Sequence, residues 1–343
     1  MYKAFFGLNQ KPFLLKPEPS MAYGSEMHNE AFAMLRYGIE EQKDFVLLTG
    51  DIGTGKTTLL QALTSIVGDK VHTCHINNPN LTNKEFYTIL SKKFGFGDYT
   101  DNKGTFILEF EDLLSECHKN DERIILIIDE AQILPTPLLE EIRLLSNQNA
   151  QNHGILSIFL VGQPEFNVRL NEEQLAPLRQ RISTRAHLSP FSSDDTKKYI
   201  QYRLRKAGAK DDKIFSDEAI TLIHQEAKGI PRLINIICDK AMLQAFADDK
   251  KVIDQEIIKN CVQELQPSSG QTPQPAALPT PAPEDSAKTG PQKRKIPRAV
   301  VIGLIVCAGL IVIILAVSQF VPEGQAWLRD KAAWLMNQFD KLK

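Results

Sequence analysis

The segment Phe45 to Thr58, FVLLTGDIGTGKTT, constrains this chain more than any other stretch. An apolar run ends at Gly50, glycines recur at 53 and 55, and helix formers take over after Gly55, so the segment predicts strand, tight loop and helix in that order. The spacing from Gly50 to Thr57 is the complete phosphate-loop pattern. Its glycines let backbone N–H groups turn inward around a polyphosphate, its lysine reaches the β- and γ-phosphates, and its hydroxyl faces Mg²⁺. The following helix adds the positive end of its dipole. The expected nucleotide contacts are Gly50, Asp51, Gly53, Thr54, Gly55, Lys56, Thr57 and Thr58, with Thr57 also a metal ligand.

A second apolar run, Arg123 to Ile128, ends in Asp129 and Glu130. Ligands of open α/β sheets bind at the C-terminal ends of the strands, which is where these acids fall. Asp129 is expected to hold Mg²⁺, directly or through water, and Glu130 to polarise the attacking water.

Further apolar runs at Val71 to Ile76 and Ile155 to Val161, and a short strand near Arg185 to Leu188, alternate with helical patterns at Asn83 to Phe94, Phe106 to His118 and Pro137 to Asn149. Unbroken apolar strands separated by helices predict a doubly wound parallel sheet covered on both faces. The run ending at Val161 leads into Gly162-Gln163-Pro164. There a side-chain amide can orient water or sense the γ-phosphate, or serve only as a turn residue.

Upstream of the loop, the aromatic and proline-rich start, with Phe5, Phe6, Pro12, Phe13, Pro17 and Pro19, predicts an extended strap. Ser25 then caps a helix whose stripe is Ala31, Leu35 and Ile39. From Ser192 strands give way to four amphipathic helices, at about Asp194 to Ala207, Ser216 to Ala227, Ile230 to Ala247 and Asp254 to Leu265, with Ser216 and Asp254 as caps. Gly229-Ile230-Pro231 ends one of these helices and starts the next, with Arg232 just inside it. A guanidinium at that point reaches back to a nucleotide phosphate or merely adds surface charge.

Length and charge limit what such a chain does. At 343 residues it has room for roughly two domains plus extras. The five cysteines form no C-x-x-C pair, which argues against a zinc site or a disulfide framework and for reduced thiols. Of the 40 Lys and Arg, 9 lie beyond Gln266, and of the 42 Asp and Glu, 5 do, leaving 31 against 37 in the globular part. That mildly acidic balance gives no support to a sequence-independent grip on nucleic acid.

Residues 267–298 are rich in proline and polar residues and predict a stiff tether ending in the basic cluster Lys293, Arg294, Lys295 and Arg298. Ala299 to Val317 follows as 19 residues whose most polar side chain is the thiol of Cys307, which predicts a single transmembrane helix over 299–318. The basic cluster orients the N-terminal side to the cytoplasm, and 319–343 is expected as an amphipathic periplasmic tail with Trp327 and Trp334 on one face.

With loop, acids and helical C-terminal region in place, residues 1–265 resemble AAA+ ATPases, and more narrowly the membrane-bound ExeA/GspA family of general secretion pathway protein A. The opening FFGL segment, GDIGTGKTT, IIDEAQ, LVGQPE, LRQRI and GIPR occur in that family's order. The resemblance implies an AAA+ core at 1–190, a helical lid at 191–266, and ATP with Mg²⁺ as cofactors. It also implies that Gln163 is the first sensor, that Arg181 is the finger completing a neighbouring subunit's site, and that Arg232 is the second sensor. Homo-oligomeric rings or arcs, a secretion or export partner and an inner-membrane location follow from the same resemblance. Many members carry a wall-binding domain after the span, where about two dozen residues stand here. A DNA-associated transposition-helper ATPase and a non-hydrolysing nucleotide-dependent scaffold are the other readings.

Overall fold

The computed structural model describes residues 2–16, 21–77, 80–150, 154–211 and 213–265. In chain order the elements are α1 (Tyr2–Phe5), α2 (Glu26–Glu40), β1 (Phe45–Gly50), α3 (Lys56–Thr64), β2 (Val71–Ile76), α4 (Asn83–Phe94), α5 (Lys103–Lys119) and β3 (Arg123–Ile128). They continue with α6 (Thr136–Leu145), β4 (Leu156–Gly162), α7 (Glu165–Arg169), α8 (Ala176–Arg181), β5 (Ile182–Leu188), α9 (Ser193–Lys206), α10 (Asp217–Ala227), α11 (Pro231–Ala247) and α12 (Gln255–Leu265).

The five strands form one all-parallel sheet in the order β2-β3-β4-β1-β5. Its central strands β1 and β4 are buried along their whole length because helices cover both faces. Alternate residues feed separate cores, as the two-residue strand period requires. Phe45, Leu47, Leu126 and Ile128 pack with α4, α5 and α6 on one face, whereas Val46, Leu48, Ile125 and Ile127 pack with α2 and α3 on the other. The edge strand β5 alternates buried and exposed residues, which is why only its last part reads as a strand from the sequence. The acidic loop lies beside the phosphate loop because β3 and β1 both flank β4 and run in the same direction.

Helix starts follow their caps. Ser25 accepts from the His28 N–H, Ser216 from that of Ala219 and Asp254 from that of Ile257. Helices α9 to α12 enclose a third core, and the strap joins it. Tyr2, Leu8 and Phe13 are buried against α9 to α12, the Tyr2 hydroxyl donates to Asp239, and Asn9 N–H donates to the Ala207 carbonyl at 2.8 Å. The strap opens with the short helix α1 where an extended chain was expected, because its proline-free first residues satisfy a helical turn before Pro12.

The tether at 267–298, the span at Ala299–Val317 and the tail at 319–343 lie outside the described residues. Among the described residues no helix is long and apolar enough to cross a membrane. The longest, α5 and α11, have 17 residues each and carry Lys, Asp or Glu side chains, whereas a spanning helix needs about 20 consecutive apolar residues. The single-pass inner-membrane placement, with its transmembrane helix and periplasmic tail, is corrected accordingly.

Candidate functional site: a phosphate loop under a helical lid

The phosphate loop leaves β1 at Gly50 and enters α3 at Lys56, and Gly55 precedes that helix with φ +107°. The Lys56 ammonium donates to the carbonyls of Gly50 at 2.6 Å and Asp51 at 3.0 Å, so the side chain is folded over the cradle its own backbone makes. Burial pushes its pKa down from the ordinary lysine value, while the Glu130, Asp129 and Asp51 carboxylates act in the opposite direction. Such a cation gains when a polyphosphate enters.

Thr57 at the start of α3 donates its hydroxyl to Asp129 Oδ2 at 3.4 Å, and the other Asp129 oxygen accepts the Glu130 N–H at 2.9 Å. Burial raises the Asp129 pKa above the usual carboxylate value. A buried carboxylate beside a hydroxyl is an oxygen donor set suited to a hard divalent cation, and the two residues fit Mg²⁺.

Glu130 sits at φ +55°, a left-handed conformation rarely adopted by residues other than glycine, at the turn from β3. Its Oε2 accepts from the Gln132 amide at 2.5 Å and the Gln163 amide at 3.2 Å, while Gln132 Oε1 accepts the Gln163 N–H at 3.1 Å. Two amides thus clamp one carboxylate. Gln163, read from the sequence as a strand-end sensor or a turn residue, is within hydrogen-bond reach of Glu130.

Arg232 belongs to the same pocket. Gly53, at φ +85°, lies so close to the lid that a Cβ there would stand 2.7 Å from the Arg232 Cβ. No ion pair or side-chain hydrogen bond ties down the Arg232 guanidinium among the described residues, and it lines the cavity with Lys56, Thr57, Asp129 and Glu130. Asp51 contributes its carbonyl to Lys56 and to the Thr54 hydroxyl, Gly50 abuts Leu188, and Thr58 lines the cavity.

Arg181 is elsewhere. On α8 it donates to the Arg143 carbonyl at 3.2 Å, Ser146 Oγ at 2.7 Å and Asn147 Oδ1 at 2.6 Å, so it is fastened to the end of α6 and does not line the cavity.

Three residues with a place in the site carried no role from the sequence. His28 is buried between α2 and the loop, with Nδ1 2.7 Å from Ser25 Oγ and Nε2 3.0 Å from the Thr54 carbonyl; only its position three residues after a cap marks it. Gln132 lies within the IIDEAQ motif. Arg203 is one of several charged residues on α9, and it lines the cavity. The cavity is about 460 Å³, within the range of small-molecule sites. At the opposite ends of the strands, His72, Cys117 and Glu122 bring one ligand atom each within 4.8 Å of one another, a proximity that sequence spacing does not reveal.

Residues 39–170 match the family described as an AAA domain. Over 250 residues the chain is 39% identical to general secretion pathway protein A of Aeromonas hydrophila, an alignment covering 72% of this chain and 45% of that protein. An uncharacterized HTH-type transcriptional regulator of Methanocaldococcus jannaschii is 28% identical over 165 residues, 47% of this chain and 40% of its own length. The chain thus spans less than half the length of these curated relatives. Among solved structures, Cdc6p from Pyrobaculum aerophilum superposes with a TM-score of 0.60 at 16% identity, covering 75% of this chain and 72% of the other. Drosophila ORC bound to DNA gives 0.55 at 17%, covering 76% and 67%. At those identities the likeness is one of fold, and it is the fold that the loop, acids and lid build. Residues 39–170 thus match an AAA domain, and over 250 residues the chain is a relative of general secretion pathway protein A.

Proposed function

We propose that this chain hydrolyses ATP with Mg²⁺ and, as a homo-oligomer, couples hydrolysis to assembling or operating an envelope secretion, pilus or exopolysaccharide export machine. The observation that carries the enzymatic part is the Glu130 carboxylate, held by the Gln132 and Gln163 amides at the end of β3 beside Asp129 and Thr57. In this reading Lys56 leaves the Gly50 and Asp51 carbonyls for the phosphates, and Thr57 and Asp129 would hold a Mg²⁺ ion, which would supply neutralisation of developing phosphate charge. Glu130 accepts a proton from the attacking water once Gln163 moves its amide toward the γ-phosphate. Arg232 brings its charge from the start of α11 to the phosphates. The export role rests on the relationship to general secretion pathway protein A.

Two variants test the enzymatic part. Lys56→Ala is expected to lose nucleotide binding, whereas Glu130→Gln is expected to bind ATP as wild type does and to stop at hydrolysis. Equal ATP affinity of Lys56→Ala and wild type in a calorimetric titration would remove the phosphate-loop assignment. Full turnover by Glu130→Gln would remove Glu130 as the base.

A further inference from the structure

Residues from two parts of the chain meet at the N-terminal ends of the strands, away from the nucleotide cavity. His72 is the second residue of the edge strand β2, and Cys117 and Glu122 bracket the turn from α5 to β3. Register and turn bring them together. The ladder partner of His72 is Ile124, two residues after Glu122, and the Glu122 N–H donates to the Cys117 carbonyl at 2.8 Å, which folds the turn back onto the end of the helix. The outcome is an imidazole nitrogen, a thiol sulfur and a carboxylate oxygen all within 4.8 Å of one another, with His72 Nε2 2.9 Å from Glu122 Oε2. No C-x-x-C spacing announces the trio, because its members come from separate elements.

Three such donors at that distance suit one ion. A tetrahedral centre with bonds of about 2.0–2.3 Å sets its ligands about 3.3–3.8 Å apart, so the trio closes on it with about 1 Å of movement. His72 and Glu122 have that freedom, their side chains being 52% and 30% exposed, whereas the buried Cys117 fixes the floor of the site. The charge around the sulfur has the right sign as well. The Glu122 and Glu116 carboxylates act on it electrostatically, and the cations that flank the site in sequence point to other partners: Lys70 to Asp121 at 3.1 Å and Arg123 to the Ile39 carbonyl at 2.6 Å. A thiol, an imidazole and one carboxylate form a donor set that Zn²⁺ accepts and the oxygen-seeking ions Mg²⁺ and Ca²⁺ do not.

We propose that His72, Cys117 and Glu122 form a three-ligand site for Zn²⁺, with water in the fourth position, that staples the edge strand β2 to the end of α5. Binding exchanges the thiol proton, which leaves to solvent, for a sulfur–metal bond. Since β2 pairs with a neighbour on one side only, a link at its first residues stabilises the edge of the sheet. None of the three residues lines the nucleotide cavity, so the site stands apart from the phosphate-loop reading.

The test uses Co²⁺ as a spectroscopic stand-in for Zn²⁺ on the nucleotide-free full chain with its thiols reduced. Wild type is expected to give a sulfur-to-cobalt charge-transfer band in the near ultraviolet that Zn²⁺ removes by displacement, and Zn²⁺ is expected to raise the thermal midpoint. Cys117→Ser should lose the band, and Cys261→Ser, which removes a thiol on α12, should keep it. His72→Ala changes a half-exposed residue and decides the matter if Cys117→Ser does not fold. It should weaken Zn²⁺ by more than about tenfold, since the loss of even an outer-shell partner weakens metal binding that much, and shrink the gain in midpoint. Absence of the band in wild type, a band that survives Cys117→Ser or vanishes with Cys261→Ser, or unchanged Zn²⁺ affinity in His72→Ala would overturn the site.

Discussion

Arg232 donates its backbone N–H to the carbonyl oxygen of Gly53 at 3.2 Å, so the first turn of the lid helix α11 is hydrogen-bonded to the phosphate loop itself. The loop and the start of α11 are therefore joined directly through their backbones. The junction is tight on the lid side as well. Phe191 donates its N–H to the Gly229 carbonyl at 2.8 Å, and a Cβ on Gly229 would stand 2.1 Å from the Phe191 carbonyl oxygen.

Gly53→Ala follows directly from that geometry. The position has a left-handed φ, and the added methyl would meet the Arg232 Cβ. The substitution is expected to cost about 1–3 kcal/mol in strain and displaced contacts. In thermal unfolding this appears as a lower midpoint, and the additional stabilisation by Mg·ATP should shrink because the lid no longer seats on the loop. An unchanged midpoint and an unchanged ATP shift would show that the loop–lid contact contributes nothing.

Asp129→Asn separates stability from metal binding. Burial holds the Asp129 carboxyl above its usual pKa, so at neutral pH the charged form is carried at a cost, and Asn retains an oxygen to accept the Glu130 N–H. Without nucleotide the variant should melt at or above the wild-type temperature. The part of ATP stabilisation that depends on Mg²⁺ should disappear, as melting curves with ATP and chelator against ATP and Mg²⁺ would show. A variant that melts lower and keeps its Mg²⁺ response would contradict both halves.

The parts of this site legible in the sequence are those whose chemistry depends on local spacing. Gly50 to Thr57 and Asp129-Glu130 are contiguous, and a parallel sheet necessarily brings the C-terminal ends of β1 and β3 to the same edge. What was not legible depends on long-range packing. Arg203 reaches Pro12 across 191 residues; its spacing from Tyr199 and Ile200 puts it on the buried stripe of α9, but nothing in the sequence names the strap carbonyls as its partners. Arg181 reads as a free finger, yet which carbonyls fall within its reach is decided by how α8 meets the end of α6. The alternation in β5 hid its first residues, because an edge strand shows one face to solvent even in a parallel sheet.

His28 makes stability pH-dependent. The Thr54 carbonyl only accepts, so Nε2 carries the proton and Nδ1 accepts from the Ser25 hydroxyl. Burial lowers the His28 pKa below the ordinary histidine value, against smaller opposing effects from the Thr54 carbonyl and Asp195, and burial lowers that of His75 as well. A histidine whose folded pKa is depressed lets the unfolded chain take up its proton first. Its stabilisation is therefore full above about pH 6.5 and is lost as the pH falls through the folded value. Denaturant unfolding between pH 8 and 5 should show stability falling toward pH 5, with a shallower fall in His28→Gln, whose amide still donates to Thr54. A slope identical to wild type would assign the dependence to other groups.

Arg181 must satisfy two demands if it serves a neighbouring subunit. In the isolated chain it closes hydrogen bonds to the Arg143 carbonyl, Ser146 and Asn147, so reaching another subunit's phosphate means breaking them. Arg179, two residues earlier on the same helix, makes only longer contacts, 3.4 Å to the Leu170 carbonyl and 3.3 Å to Asn171 Oδ1, and is freer to leave. We expect Arg181→Ala to lower stability by about 1–3 kcal/mol, the cost of unpairing partly buried acceptors, and to be inactive alone. Mixed with Glu130→Gln, it should regain activity, because its intact acids would take the finger of a partner whose own acid is lost. The same mixing with Arg179→Ala in place of Arg181→Ala identifies the residue. Recovery confined to the Arg179 pair would move the finger to Arg179 and leave Arg181 as the residue that fixes α8 to α6. No recovery with either, in mixed oligomers confirmed by mass, would place both arginines in structural roles within their own subunit.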